Sequence, residues 1–429
     1  MIAAKGSIYC GEHMLVGGDA TKIVVTRDDR EMERERILCP LDPSHTVYRH
    51  LLHKHLKKCN VTKRPTLACY TKNLNSGLVD YLCSPEEMTP LLTFPAAVIE
   101  TLTAKVEAAY SEHAHKIERD VRDHPILAGE IVDPKYGSSA LKHLKQQASI
   151  LGHLQSLGML APRTCFIEFG AGKGKLSDVV QRTFSVSDHC HCVLVDRAAC
   201  RRKAENHHKK MKECASFQRL LIDIEHLDLS KLECLHEGQF DRLIAISKHL
   251  CGAATDFGLR CLLSTLQPHT VTGDTGDLSD PNLPQSKRLC QQQPAPRLEA
   301  ILMALCCHHR CTWASVVGRR FFEQLGFTPV DFHLITHMSS WAVCGVRAED
   351  IEWDHSAEGG AQNCHTHYVP HPKEEIGLKC KRLIDIARVW ELRQAGLDAR
   401  LVYYVDKTVS LENVLLVATI KRSEQETSV

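Results

Sequence analysis

The sequence predicts an α/β protein: a largely parallel, Rossmann-like sheet wrapped by helices, preceded by a small metal-stapled module and a helical linker. Three observations carry this. From about residue 134 onward, short apolar runs alternate with helical segments, a pattern that builds a parallel sheet covered by helices. The first such run, CFIEF (165–169), opens into Gly170, Gly172 and Gly174 at alternate positions, and helical spacing resumes at Leu176 and Val179. Ahead of all this, Cys39, His45, His55 and Cys59 stand as C-x5-H-x9-H-x3-C.

The glycine loop decides what kind of sheet this is. Glycines between a strand and a helix let the backbone turn sharply and approach a ligand where a Cβ would clash. A phosphate-binding P-loop needs G-x-x-x-x-G-K-[ST]; here Phe169 takes the first glycine position and Leu176 follows Lys175. The dinucleotide fingerprint G-x-G-x-x-G needs glycine at 175, where there is lysine. What fits is acidic-x-Gly-x-Gly-x-Gly from Glu168, the strand-end loop of S-adenosylmethionine-dependent methyltransferases. An ordinary glycine-rich turn competes with that reading when the loop is taken alone.

The later runs supply support. HCVLVDR ends near Asp196, about 20 residues beyond the loop, where an open α/β sheet places the carboxylate that accepts ribose hydroxyls. LLIDIEHLDL carries Asp223 at the same carboxyl edge, suited to an adenine amino group. DRLIAISKHLCG, EAILMALCCHHRC and SLENVLLVATI complete the set, the last expected as an antiparallel strand at the end of the sheet. Loop and acids together favour a methyltransferase over a dehydrogenase or ATPase.

Cys39, His45, His55 and Cys59 offer two thiolates and two imidazoles, a closed tetrahedral set for structural Zn²⁺. Val47, Leu51, Leu52 and Leu56 have helical spacing, which puts His55 and Cys59, at i and i+4, on one face. A module of about 24 residues lacks core of its own, so metal binding would supply its folding energy. Lys54, Lys57 and Lys58, with Lys63 and Arg64 beyond, make the best local basic patch, suited to RNA phosphates. A solvated basic helix with incidental His and Cys is the competing reading. Cys10 and His13 form an isolated C-x-x-H pair without a second pair upstream.

The expected organisation is 1–36 as a finger remnant and linker, 37–60 as the finger, 61–133 as linker and amphipathic helix, and 134–429 as the catalytic domain. The helix is expected over 96–122, from Val98, Leu102, Val106, Ala109, Ile117 and Val121. Insertions are expected at 267–297, which is proline-rich with Gly, Asp and Gln between, and at 348–372, which is polar and Gly/His-rich. Lys+Arg 53 against Asp+Glu 52 leaves a net +1, so nucleic-acid binding requires a local patch rather than a global charge. The chain has neither an 18-residue apolar run nor a secretory leader, which predicts no membrane partner and a cytoplasmic or nuclear, non-secreted location. Its 20 cysteines then read as thiols and metal ligands.

The strings ILCPLDPSHTVY, HLKKCN, LKHLKQQASILG, FIEFGAGKGKLS, KHLCGAATD, ALCCHHRC, MSSWAVCG and SLENVLL together resemble the eukaryotic tRNA ribose 2′-O-methyltransferases that modify the fourth nucleotide of the acceptor stem. The resemblance runs from Tyr9 through nearly the whole chain. It implies methyl transfer from S-adenosylmethionine to a 2′-hydroxyl in a subset of tRNAs, such as those for glycine, proline and histidine. It also implies a CCCH finger ahead of the CHHC one. Here only YCGEH, with Cys10 and His13, matches that finger, so the chain resembles an N-terminally shortened member.

A ribose hydroxyl is a poor nucleophile at neutral pH, so the enzyme must align it and assist loss of its proton. Candidates for that work are Lys248, His249 and His309, with His308 and Arg310 beside them. Glu168, Gly170, Gly172, Gly174, Asp196 and Asp223 are the candidate cofactor residues. Lys142 and Lys145, with Gln146, could cover the cofactor or hold phosphate, and Arg310 is a further candidate RNA contact. In an extended strand, neighbours in CCHHRC point to opposite faces, which disfavours one shared metal ion. The alternative functions are a methyltransferase of another target and a zinc-finger RNA-binding protein whose methyltransferase-like domain is inert.

Overall fold

A computed structural model describes residues 23–27, 30–34, 36–59, 67–114, 116–200, 216–266, 295–342 and 372–420. The chain divides into two compact units, 1–68 and 69–429. Cys10, His13, Lys63, Arg64, nearly all of the 267–297 insertion and all but the last residue of the 348–372 insertion lie outside the described residues.

The described residues of the first unit form two hairpins and a short helix. Strands β1 (Ile23–Arg27) and β2 (Arg30–Arg34) pair antiparallel, a hairpin that sequence reasoning did not anticipate. Strands β3 (Arg36–Cys39) and β4 (Asp42–Tyr48) pair antiparallel, and a register shift between Leu38 and Cys39 lets the chain reverse through Pro40. A 3-10 turn at Arg49–Leu51 leads into α1 (Leu52–Leu56).

In the second unit, segment 69–95 lacks regular strands and long helices, as expected of a linker, yet it is tied to the core. Tyr70 bridges Leu227, and the buried Asn75 amide donates to the carbonyls of Ile224 and Leu227 at 2.7 and 2.8 Å. Helix α2 (Ala96–His113) ends earlier than its apolar spacing predicts. The polar stretch SEHAHK interrupts the stripe, and the chain then enters β5 (Glu118–Arg119). Short α3 (Ala128–Val132) and α4 (Ser138–Ser156) follow.

The central sheet is built from β6 (Thr164–Phe169), β7 (His191–Asp196), β8 (Ser216–Leu221), β9 (Arg242–Cys251), β10 (Arg297–Cys306), β11 (Leu397–Tyr403) and β12 (Val414–Ile420). Their order is β5-β11-β12-β10-β9-β6-β7-β8. Strands β6 to β10 run parallel, and β12 inserts antiparallel between β10 and β11. The antiparallel final strand was expected; its partner β11 was not. Along β11, Leu397 and Ala399 are buried while Asp398 and Arg400 are exposed, and sequence reasoning passed over this alternation beside a long helix.

Helices α5 (Lys175–Gln181), α6 (Ala253–Leu266), α7 (Arg319–Gln324), α8 (Pro329–Ser339) and α9 (Pro372–Gln394) cover the sheet. One core joins α4 and α5 to the strands through Leu151, Leu154, Phe166, Leu176, Leu194 and Leu415. A second joins α2, α7, α8 and α9 through Val106, Phe322, Phe332, Ile335 and Leu383. Strand β6 is buried throughout, as a central parallel strand must be. The parallel strands β6, β7 and β9 deliver their carboxyl ends to one edge, with the glycine loop after β6.

Candidate active site

The loop after β6 adopts the backbone that its glycines were expected to permit. Gly170, Gly172 and Gly174 have φ of 66°, 50° and 74°, a left-handed region that L-residues enter at a cost of roughly 1–2 kcal/mol. A Cβ on Gly170 would lie 2.9 Å from Leu250 Cδ1, whereas one on Gly172 would meet nothing within 4 Å. The space beside Gly172 is therefore open to a ligand.

Two acids hold this loop. Glu168, buried at the end of β6, accepts from the Ser177 amide at 3.0 Å and from Ser177 Oγ at 2.5 Å. It thereby satisfies a donor in the first turn of α5, where the helix dipole favours negative charge. Burial pushes its pKa up to about 7, against the lowering effects of Ser177, Arg219 and Lys248. Asp196, ending β7, accepts from the Gly172 amide at 2.7 Å and from the Ala198 amide at 2.9 Å. A carboxylate has about four lone-pair sites, so Asp196 keeps capacity for ribose hydroxyls while it locks the loop. Arg219 Nη1 donates to the Gly172 carbonyl at 2.9 Å, a support that sequence reasoning missed. Asp223 follows β8 and caps a 3-10 turn by accepting from the Glu225 amide at 3.2 Å. These residues fit an adenosine-containing cofactor by the acceptor oxygens of Asp196 and Asp223 and by the open space at Gly172.

Lys248 and His249 emerge where β9 departs from regular pairing. Lys248 pairs with Ala304 and Leu250 with Leu305, so His249 is the extra residue of a bulge, with φ of 64°. Bulges re-aim side chains, and here Lys248 Nζ lies 3.0 Å from His143 Nδ1 and 3.2 Å from Gln146 Oε1. His249 Nε2 lies 3.3 Å from the same amide oxygen. Desolvation lowers the Lys248 pKa to about 8, with Lys175 assisting and Glu168 opposing. His249 is exposed as a residue, yet desolvation, Lys248 and His143 all hold its imidazole below the ordinary range. His143, missed from sequence, joins this cluster because it stands at i and Gln146 at i+3 on α4; the neighbouring Lys142 and Lys145 are exposed.

The CCHHRC run does not continue as a strand. Strand β10 stops at Cys306, Cys307 turns left-handed at φ 51°, and His308–Arg310 form a 3-10 turn. His308 is buried against Asp385, while His309 and Arg310 are exposed. Arg310 packs on Gly252, whose Cβ would lie 2.5 Å from that of Arg310. Lys248 and His249 thus share a cluster, whereas the described contacts of His309 are electrostatic and directed at His337.

In the first unit, Cys39 Sγ lies 3.2 Å from His55 Nε2 and 3.9 Å from Cys59 Sγ, with both thiols buried. Ligands at Zn–S ~2.3 Å and Zn–N ~2.0 Å stand roughly 3.5–3.8 Å apart around a tetrahedral ion, so these three fit zinc. His45 lies in β4, and its side chain is outside the described residues. Lys54, Lys57 and Lys58 are exposed.

Strand order, the glycine loop and the acids on its edge define a Rossmann-like methyltransferase. A family model described as Methyltransferase TRM13 matches residues 145–419, and one for the U11-48K-like CHHC zinc finger matches 36–60. A Mus musculus protein named tRNA:m(4)X modification enzyme TRM13 homolog is 40% identical, over 97% of this chain and 91% of its own length. The Homo sapiens protein of that name is 38% identical over the same shares. The Saccharomyces cerevisiae tRNA:m(4)X modification enzyme TRM13 is 29% identical over 97% of this chain and 92% of its own. The chain belongs to the TRM13 methyltransferase family.

Proposed function

We propose that this chain transfers a methyl group from S-adenosylmethionine to the ribose 2′-hydroxyl of the fourth nucleotide in the acceptor stem of tRNA, in a subset that includes glycine, proline and histidine tRNAs. The observation that carries this reading is a partly buried lysine, Lys248, beside the glycine loop of a chain whose relatives are named tRNA-modifying enzymes. When bound, S-adenosylmethionine supplies a methyl group activated on a sulfonium. Asp196 holds the ribose hydroxyls, Asp223 receives the adenine end, and the backbone at Gly172 admits the amino-acid portion. Glu168 keeps α5 and the loop in register. Lys248, neutral in part at physiological pH, takes the proton from the 2′-hydroxyl through Nζ. His143 and Gln146 steer that nitrogen, and His249 fixes Gln146 from the other side.

His309 and Arg310, exposed on the turn after β10, steady flanking phosphates; Lys142 and Lys145 add positive charge on α4. In the finger, Cys39, His45, His55 and Cys59 hold one structural zinc, and Lys54, Lys57 and Lys58 offer phosphates a second basic surface. The domain division is the finger at 37–60 and a methyltransferase domain over 134–429, with 69–133 packed onto that domain. No described helix is long and apolar enough to cross a membrane, and a tRNA substrate fits a cytoplasmic or nuclear setting.

The test is incubation of the full chain with methyl-labelled S-adenosylmethionine and tRNA lacking its own modifications. One alkali-resistant linkage after the fourth nucleotide is expected, because a methylated 2′-oxygen cannot attack its phosphate. Label on a base, on protein or nowhere would reject the proposal.

A further inference from the structure

A second cluster of metal-ligating side chains lies outside the finger, at the ends of β9 and β10. Cys251 and Cys306 end these parallel strands in register. Their Sγ atoms stand 3.6 Å apart, and Cys251 Sγ lies 3.1 Å from that of Cys307. All three sulfurs fall within 4.8 Å of one another. An extended continuation of β10 would have sent Cys307 to the opposite face. Instead its left-handed backbone, at φ 51°, turns the side chain back towards Cys251. The bulge residue His249, at φ 64°, sets the register that places Cys251 beside Cys306. Two non-glycine residues therefore hold disfavoured conformations on either side of one sulfur cluster, and such conformations collect at ligand sites.

We propose that Cys251, Cys306 and Cys307 form a three-thiolate site for a thiophilic d10 cation, with zinc the ion to be tested, separate from the finger. Soft thiolates select such ions. Sulfurs around one zinc stand roughly 3.8–4.0 Å apart at Zn–S ~2.3 Å, so Cys251 and Cys307 need to part by under about 1 Å. Both are half-buried, and their side chains can make that adjustment. Binding releases three thiol protons to solvent, and Arg310, whose charge acts on Cys251, offsets the surplus negative charge. Among the described residues there is no fourth protein ligand within the cluster, which leaves one coordination position for solvent. The ion would tie β9 to β10 where the Lys248 bulge and the His308–Arg310 turn emerge, giving the site a fixed geometry that hydrogen bonds between thiols do not provide.

Metal analysis of the full chain, purified with zinc and dialysed, tests this. Two zinc ions per chain are expected, one lost in Cys59→Ser, a different one lost in Cys251→Ser or Cys307→Ser, and both lost in Cys59→Ser/Cys307→Ser. Because a serine variant could misfold, the unaltered chain is also alkylated with iodoacetamide and mapped by mass spectrometry. Cys251 and Cys307 should be protected with zinc and react after chelation, while the exposed Cys83 reacts throughout. Zinc content unchanged in Cys251→Ser and Cys307→Ser, equal alkylation with and without chelator, or recovery of Cys251 and Cys307 as a disulfide would each overturn the proposal.

Discussion

His308 Nε2 donates to Asp385 Oδ1 across 2.6 Å, and both residues are buried. Arg382 pairs with the other carboxylate oxygen at 2.8 Å, and Arg388 bridges Asp385 to Asp256, meeting the latter at 2.7 and 3.1 Å. The first histidine of CCHHRC therefore anchors its turn to α9 and is not presented to a substrate. Burial pushes the Asp385 pKa up, but His308, Arg382 and Arg388 outweigh it and hold the group at about 2. Desolvation keeps His308 below the ordinary imidazole range despite Asp385.

Asp385→Ala should destabilise the chain by about 3–5 kcal/mol, because Arg382 is left without its buried partner. A depressed carboxylate contributes stability above the ordinary carboxylate range, and that contribution is lost as pH falls towards about 2. Denaturant unfolding at neutral pH checks the first point. A loss below about 1 kcal/mol would mean that water replaces the carboxylate, since a truly broken buried pair costs more.

Lys248 gives the reaction its pH dependence. With a pKa lowered to about 8, its neutral fraction grows as pH rises, so the single-turnover rate should climb and level off above about pH 8. Lys248→Ala should lose at least roughly 100-fold in rate with little change in cofactor or tRNA affinity, and should flatten the profile. Near-native rates in Lys248→Ala, His249→Ala and His309→Ala together would leave alignment as the whole of catalysis.

Asp196→Ala removes both a ribose acceptor and the partner of the Gly172 amide. A hydrogen bond to a charged group is worth roughly 1.5–3 kcal/mol, so calorimetry should find cofactor affinity lowered by more than about tenfold. Gly172→Val should do the same by filling the open space at a left-handed position. Unchanged binding in both variants contradicts the cofactor assignment.

Glu168 predicts an opposite sign from Asp385. Its folded pKa, about 7, lies above the ordinary value, so the folded state binds more protons than the unfolded state between the two. Stability therefore falls as pH rises through that window. Glu168→Gln keeps an oxygen for the Ser177 amide while removing the buried charge. Its melting temperature should match or exceed that of the parent above pH 7, with a shallower pH slope below; a large loss there would show that α5 needs the charge.

The finger can be separated from catalysis. Cys59→Ser should release one zinc and weaken tRNA binding, with cofactor affinity unchanged. Equal tRNA affinity would confine the finger to a structural role.

Local chemistry made much of this protein legible in its sequence. Glu168, the three glycines and Asp196 follow directly from strand to loop to strand end, so spacing alone placed them on one edge. Cys39, His55 and Cys59 converge through a hairpin and one helical turn, also short-range geometry. Contacts between distant segments were not legible. Cys251 meets Cys307 because of a bulge and a left-handed residue, backbone states that no residue type announces outside glycine. His143 reaches Lys248 only because α4 lies across the end of β9. Helix α9 buries Lys381, Arg382, Asp385 and Arg388, a charged face that periodicity assigns to solvent. It can be buried because partners from the turn after β10, from α6 and from the segment before β12 satisfy it, namely His308, Asp256 and Glu412. Spacing along the chain determines which groups can share a face; packing between remote segments decides which of them meet, and with what charge.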